Sequence, residues 1–365
     1  MPKPTEIAIL NINGGLFRDW ESVWVRQTFD EPPNYKFRFT CSEGSPIAKN
    51  YALLQIKPGD HCSITLAGQP AFTGRVTTRQ VFYDAHRHHV EIQGASYDVV
   101  ATDVSAVHPT HEENKKNFTQ FAQKLFGSIN VPFSTEGSIP GIQFPRISIM
   151  YNQRVYDAVE QLARHVGVHM TSDATQGGVV AFSGTRGGGG ATFVEGKNIL
   201  EGREIISNLS YAGQYAGGML PAGDQKNGPD VHSVPFVDSS GSPSGGGGGG
   251  PSGVQQSGKD GTDMGMPAWI QDQMKMRTQY EGQKIDEDAI WVTVTVQGWL
   301  MNGGLYGPPG SQMTVNSPML MMQGKSLMAK AITFTQDSFE GTRTTIELVN
   351  PAAQGGATGT LPSGG

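Results

Sequence analysis

Charge is scarce in this chain. Asp, Glu, Lys and Arg make up 16% of its 365 residues, against roughly a quarter in typical soluble domains, and they sum to a net charge of −6. Affinity for a phosphate backbone needs clustered Lys and Arg that release counterions, so a dedicated nucleic-acid binder is not expected. Cysteine is nearly absent. Cys41 and Cys62 both fall at apolar positions of strand-like alternation, which favours buried thiols over a disulfide or a metal pair. No stretch approaches the ~18 apolar residues of a membrane span, and the opening Met1-Pro2-Lys3-Pro4-Thr5-Glu6 lacks the apolar centre of a signal peptide. A soluble product folded in a cytoplasm, with no stable membrane insertion, is the expectation. Catalytic signatures are missing too: there is no Gly-x-Ser-x-Gly, no His-Glu-x-x-His and no Cys with a promising His partner. The carboxylate groups Glu112/Glu113 and Asp286/Glu287/Asp288 read as solvated helix ends. A glycosidase pair can be assembled from distant carboxylates without any local signature, so these absences lower the enzyme reading without removing it. The expectation is no catalytic residue, no cofactor and no metal.

Glycine, by contrast, is abundant, with 49 Gly and 22 Pro. The length allows two or three domains and a large core. The first hundred residues read as a β meander. Ile7 and Ile9 lead into Asn13-Gly14-Gly15, a hairpin signal, and Trp20, Ser22 and Trp24 then alternate with Val23 and Val25. Phe37/Phe39/Cys41, Cys62/Ile64/Leu66, the run from Phe72 to Phe82, and Val90/Ile92 continue the pattern. Six or more strands in that length mean a barrel or a sandwich.

The period then changes. Phe118, Phe121, Ala122, Leu125 and Phe126 lie on one helical stripe, with Asn117 or Thr119 as N-cap and Gly127 as the stop. Val155, Ala158, Val159, Leu162 and Val166 make a second stripe that ends at Gly167. Strand alternation returns in Ile205, Ser207, Leu209 and Tyr211. From 212 to 265 the chain is dominated by Gly, Ser, Pro, Asp and Gln, with six consecutive glycines at 245–250, and cannot bury enough apolar area to offset its ordering entropy. A helix is predicted from Pro267 to Tyr280, and Ile290, Val292, Val294 and Val296 then form the clearest strand in the chain. Runs near Met313, from Met328 to Phe334 and from Thr344 to Val349 complete a second β region. Pro58-Gly59 precedes a strand, a turn and a long hairpin ending in Val90-Glu91-Ile92-Gln93. Pro309-Gly310 precedes a similar series ending in Ile346-Glu347-Leu348-Val349. Either the chain holds a duplicated β unit or two ordinary hairpin pairs look alike.

Three local features invite chemistry. His86, His88 and His89 form a dense ligand cluster, and on a strand His86 and His88 would share a face; their spacing matches no established zinc signature, and a polar hairpin turn is the simpler reading. His108 and His111 flank a proline in a linker. The glycine run at 184–190 lacks the Lys-Ser/Thr of a phosphate loop and reads as a flexible hairpin tip. Met313, Met319, Met321, Met322 and Met328 crowd one stretch; at least half fit an ordinary core, and the set also suits a subunit that buries its exterior in an assembly.

Leu16-Phe17-Arg18-Asp19-Trp20-Glu21-Ser22-Val23, Pro58-Gly59 to Phe72-Thr73-Gly74, Ile92-Gln93-Gly94, Lys116-Asn117-Phe118-Thr119, and Val155 to Arg164 running into Gly167-Val168-His169-Met170-Thr171-Ser172-Asp173 together resemble the baseplate hub protein of Mu-type contractile-tailed phages. The match keeps its order from about residue 12 to 200 and is weaker from 267 to 350. The resemblance implies an α+β, mainly β protein with two tail-tube-like β-barrels and an inserted small α+β module. Its divisions are 1–105 for the first barrel, 106–202 for the module, 203–212 with 288–350 for the second barrel, 213–287 for a Gly/Ser-rich excursion and 351–365 for a tail. It further implies a structural hub in the virion baseplate, assembled in the host cytoplasm: a homotrimer joining the central spike to the hexameric tail tube or a tube-initiator protein, touching surrounding baseplate proteins, with DNA passing through without specific binding. Two other readings stand beside it, a tail-tip enzyme that degrades polysaccharide or peptidoglycan and the hub part of a secretion-system spike. The glycine-rich loop and tail depart from the family pattern.

Overall fold

A computed structural model describes residues 6–42, 56–84, 88–187, 190–206 and 290–350, together with three short strands inside 207–289. Seven strands come first: β1 (Ala8–Ile12), β2 (Gly15–Phe17), β3 (Ser22–Thr28), β4 (Tyr35–Ser42), β5 (His61–Leu66), β6 (Gln69–Tyr83) and β7 (His88–Ala95). The β1–β2 turn puts both Asn13 and Gly14 at positive φ, the twist-matched hairpin geometry that Asn-Gly favours. Along β3 the side chains of Val23 and Val25 are buried while Ser22, Trp24 and Arg26 stay partly exposed, as a strand with one face on a core requires.

The middle of the chain packs helices on small sheets. Helix α1 (Asp98–Asp103) is followed by β8 (Glu112–Asn117), α2 (Phe118–Ser128), β9 (Phe133–Glu136), β10 (Gln143–Ser148), α3 (Val155–Val166), β11 (His169–Ser172) and β12 (Val179–Phe182). Asn117 caps α2 through a capping box with Gln120, which satisfies two otherwise orphaned backbone N–H groups. Gly127 does not stop α2, which runs one residue past it. Gly167 closes α3 in the left-handed conformation, where a side chain would be strained. The apolar stripes of α2 and α3 share a core with Val168, Met170, Val179 and Ala181. Strands β11 and β12 pair antiparallel, and β9 adds parallel to β12.

The remaining strands are β13 (Thr192–Val194), β14 (Glu201–Ile206), β15 (Tyr215–Gly217), β16 (Phe236–Asp238), β17 (Val254–Gln255), β18 (Ile290–Gln297), β19 (Leu300–Met301), β20 (Gly304–Leu305), β21 (Gln312–Ser317), β22 (Met322–Asp337) and β23 (Gly341–Val349). β15, β16 and β17 pair only among themselves within the described residues; the rest of the glycine-rich excursion, the helix expected over 267–280 and the tail lie outside those residues. β13 pairs with β21 and β14 with β18, so both belong to the second β sheet region.

The two β regions have one strand order. The first runs β1-β5-β6-β7-β4-β3 and the second β13-β21-β22-β23-β18-β14. In both, a six-residue strand opens a hairpin whose next strand is very long, 15 residues in β6 and 16 in β22. Both long strands carry a bulge where they pass from one partner to the next, between Val76 and Thr78 and between Ala329 and Ala331. Such agreement in order, length and bulge position favours the duplicated unit over two chance hairpins. One strand differs in sense: β1 is antiparallel to β5, whereas β13 is parallel to β21.

The two units do not close into separate barrels, which corrects the expected closure. β3 pairs with β4 on one side and with β22 on the other, so it has no edge left for β1 or β2, and the strands run as one open 13-stranded sheet. A single core spans both, with Val25, Phe37, Phe39 and Phe72 continuous with Val292, Val294, Phe334 and Ile346. Cys41 and Cys62 are buried and unpaired with each other, and burial, with the Asp60 charge adding to it, pushes the Cys62 thiol up to about 12. Met313, Met322 and Met328 are core residues, while Met319 and Met321 are exposed.

Candidate assembly surface

The strongest internal joint lies between the β units. β3 and β22 pair antiparallel over seven residues, from Ser22 opposite Asp337 to Thr28 opposite Ala331. Val25, Ile332 and Phe334 are fully buried there. Arg26 reaches past β22 to form an ion pair with Glu347 on β23, and its second terminal nitrogen lies 3.3 Å from the other carboxylate oxygen. That planar two-point contact ties three strands together.

The helical module is fastened to both units by buried polar contacts. Beyond the end of β3, Phe29 bridges to Thr171, the Thr171 hydroxyl donates to the Thr28 carbonyl at 2.7 Å, and the Asp30 carboxylate meets His169 Nδ1 at 2.5 Å. Behind them Asp98 is fully buried. It accepts hydrogen bonds from the Asn34 backbone N–H at 2.7 Å, the Asn34 amide at 2.8 Å and the Ser96 hydroxyl at 2.5 Å. Burial raises the Asp98 carboxyl above its ordinary value, and these donors oppose the rise. Tyr156 is pushed well up by its burial, with the Asp30 and Asp98 charges adding to it. Toward the second unit, Arg186 donates its backbone N–H to the Gly310 carbonyl at 2.9 Å, its Nε to Glu136 at 2.7 Å, and stands 5.5 Å over the Phe182 ring. The guanidinium also donates to the Pro309 carbonyl at 3.4 Å, so the segment expected as a flexible tip is anchored at Arg186, whose side chain meets a carboxylate, a carbonyl and a ring face at once.

The expected ligand candidates do not converge. His86 lies outside the described residues, His88 and His89 begin β7, and His89 Nδ1 is 3.8 Å from Glu21. Among the described residues no group of three or more His, Cys, Asp or Glu is placed to hold a metal. Glu112 and Glu113 do not sit at a helix end: both are on β8, paired with β10. Glu112 forms an ion pair with Arg146. Glu113 is buried against His108, 2.7 Å away, and pairs with Lys124, and the Lys124 hydrogen bond holds its carboxyl below the usual range. His108 thus sits in a buried pair and not in a linker, and His111 packs on the Tyr151 ring at 4.3 Å. Asp286, Glu287 and Asp288 lie outside the described residues.

Outward-facing apolar groups gather at particular places. Val107, Met150 and Tyr151 stand out from the module. Others lie on strand edges that have no partner among the described residues: Val81 and Phe82 on β6 beyond its bulge, and Ile205 and Ile206 on β14. Glu204, just before them on β14, is half-buried; burial raises its carboxyl, and the Lys325 charge opposes the rise. Unpaired edges of this kind are templates for another strand.

Residues 7–96 match the family model described as Mu phage baseplate assembly protein GpP-like, N-terminal. The baseplate hub protein gp44 of Escherichia phage Mu is 24% identical over 193 residues, 52% of this chain and 49% of that protein, so the match spans about half the length of the curated relative. Among solved structures, the 43 kDa tail protein of prophage MuSo2 from Shewanella oneidensis shares the fold with a TM-score of 0.75 at 18% identity, covering 96% of this chain and 100% of that one. The E. coli c3393 protein, a component of the type VI secretion system with structural similarity to the T4 tail proteins gp27 and gp5, gives 0.58 at 10% identity over 93% and 76%. The resemblance read from residues 12 to 200, and the mainly β class expected with it, are borne out. These relatives are named as baseplate, tail and secretion-system components and none by an enzymatic activity.

Proposed function

We propose, from the premise that this chain is a Mu-type baseplate hub protein, that it is a structural ring subunit of the virion tail and carries out no catalysis. Three copies form a ring that joins the central spike to a six-fold tail tube and surrounds the passage for DNA. The observation that carries this reading is the duplicated β unit: two units of one strand order in each chain give six similar surfaces in a trimer, which is what a three-fold spike needs to meet a six-fold tube. Three copies at −6 each give −18, an acidic balance that disfavours the clustered Lys and Arg contacts by which a protein holds DNA.

The division into a first β unit near 1–105, a module near 106–202, and a second β unit completed by 288–350 serves this role: the β units make the ring and the module stands outside it. Assembly in the host cytoplasm, and contacts with the tube initiator and surrounding baseplate proteins, belong to the same proposal. No described helix is long and apolar enough to cross a membrane.

The fold shared with the c3393 protein over 93% of this chain supports one second reading, the hub part of a secretion-system spike. Light scattering on the hub bound to its spike tests the first reading. A hub mass near 117 kDa, three chains of 39.1 kDa, is expected, and two or six copies would overturn it. Sheath, tube and spike genes beside this one favour the phage reading; a secretion cluster favours the second.

A further inference from the structure

One buried charge in this molecule has no counterpart. Glu6, just ahead of β1, is 8% exposed, and its carboxylate has no hydrogen-bond donor or ion-pair partner among the described residues. One carboxylate oxygen leans on Gly298, where an added Cβ would come within 2.7 Å of it, and the Glu6 carbonyl accepts from Gln336 Nε2 at 3.0 Å. Glu6 is thereby fixed between the first β unit and the second. A carboxylate held this far out of water costs stability until a cation meets it.

Glu6 lines an open cavity of about 480 Å³, with Ile7, Arg18, Asp19, Trp20 and Glu21 around it. Three carboxylates against one guanidinium make that lining acidic. Trp20 packs edge-on against Phe39 with ring centroids 4.8 Å apart, and its indole N–H is buried with no acceptor. Since no group of three or more His, Cys, Asp or Glu is placed to hold a metal among the described residues, the ligand that fits is an organic cation. An alkylammonium would find Glu6 for its charge and an aromatic ring beside it, and a backbone carbonyl carried with it would accept from the indole.

The residues that run into Glu6 have that chemistry. Met1-Pro2-Lys3-Pro4-Thr5 lie outside the described residues and hold one side-chain cation, Lys3. Lys3 is three residues from Glu6, a reach of roughly 10 Å. It stands between two prolines, which fix their own φ, and a residue that precedes a proline is itself kept extended. Little freedom is then lost on seating, and extended proline-containing segments are what aromatic-lined grooves take up.

We propose that this cavity is a receptor for one lysine side chain and that its occupant is Lys3, whose ammonium pairs with Glu6 while a carbonyl of the same segment accepts from Trp20 Nε1–H. Seated there, residues 1–5 clasp the start of β1 to the end of β22, across the junction of the two β units.

Two measurements on the full chain test it. In a double-mutant cycle on Lys3→Gln and Glu6→Gln, read by urea unfolding, Lys3→Gln is expected to lower the folding constant about ten-fold in the parent and to have no effect beside Glu6→Gln. The second uses n-butylammonium as the probe and the indole N–H resonance of Trp20, identified by its loss in Trp20→Phe, as the reporter. Lys3→Ala is expected to bind the probe and shift that resonance to saturation, while the parent and the Lys3→Ala, Glu6→Gln double variant do not respond. An equal response from the parent and Lys3→Ala, with no coupling in the cycle, would overturn Lys3 as the occupant and leave the cavity to a basic side chain from another protein. No response from any form, with no coupling, would overturn the cavity as a cation site.

Discussion

One strand edge occurs twice in this molecule with opposite fates. Beyond the bulge of β22, Ile332 and Phe334 lie under β3 and are fully buried; beyond the bulge of β6, the matching Arg79 and Val81 are exposed. The strands feeding the joint differ in the same sense, since Val25 of β3 is fully buried where β14 has Glu204. Burial here is set by what docks on an edge and not by the strand that offers it. An internal joint forms once, during folding, and can be wholly apolar. An edge left in water carries charge, which blunts indiscriminate pairing.

The largest way to break that comparison is Phe334→Ala. Removing a fully buried ring from the internal joint costs about 3–5 kcal/mol, which urea unfolding of the chain will measure. Val81→Ala, at the matching place, is expected to stay within about 0.5 kcal/mol in the unassembled chain, as exposed substitutions do. Equal losses would mean that the β6 edge is covered in the free protein.

Next is Asp98→Ala, which asks how much the buried polar contact between the start of α1 and the Asn34 turn holds the first unit together. It leaves the buried N–H and side-chain amide of Asn34 without their acceptor, each orphaned donor costing about 1–3 kcal/mol. A midpoint shift worth about 2–4 kcal/mol is expected, and an unchanged midpoint would show that this buried contact contributes nothing to the first unit's stability.

Much of this fold can be read without coordinates. The alternation of Ile290, Val292, Val294 and Val296, the Asn13-Gly14 turn and the helical stripes of α2 and α3 all state their own structure, because each depends on neighbours within a few residues. The open sheet does not, since β3 is kept from closing by β22, some three hundred residues away. β8 escapes notice because Glu-Glu-Asn-Lys-Lys-Asn has no apolar alternation; it is a strand only because β10 pairs with it. His108 looks like a linker residue until that hairpin brings Glu113 beneath it. The open edges are harder still. Val81 and Ile205 are unremarkable strand residues in the sequence, and only the ladder register reveals that both occupy places filled elsewhere in the same chain. The Pro-Gly echo was the visible trace of that repeat.

A smaller effect separates the joint from the open edge by its charges. Arg26 and Glu347 are coupled across β22 in the internal joint, while the residues in their places around the open edge are Ile205 and Gln93. A double-mutant cycle on Arg26→Ala and Glu347→Ala is expected to give about 1 kcal/mol of coupling that shrinks as salt is added. Coupling near zero would leave the joint to its apolar pairs alone.

The smallest expected change lies away from both, in the module. Glu113 has its carboxyl held below the ordinary value, first by Lys124 and then by His108. A depressed carboxyl contributes stability that is fully present above its unfolded value, and this is lost as pH falls through the lower folded value. Glu113→Gln keeps the shape but loses the charge. The variant is expected to be slightly less stable than the parent near neutral pH, with the gap closing as acid is added, in a series of urea midpoints from pH 6 to pH 3. Because Glu113 lies on β8, which shares no ladder with either β unit, assembly at neutral pH should not change. An altered oligomeric mass at neutral pH would mean that the module takes part in the ring, and the β units would then no longer account for assembly by themselves.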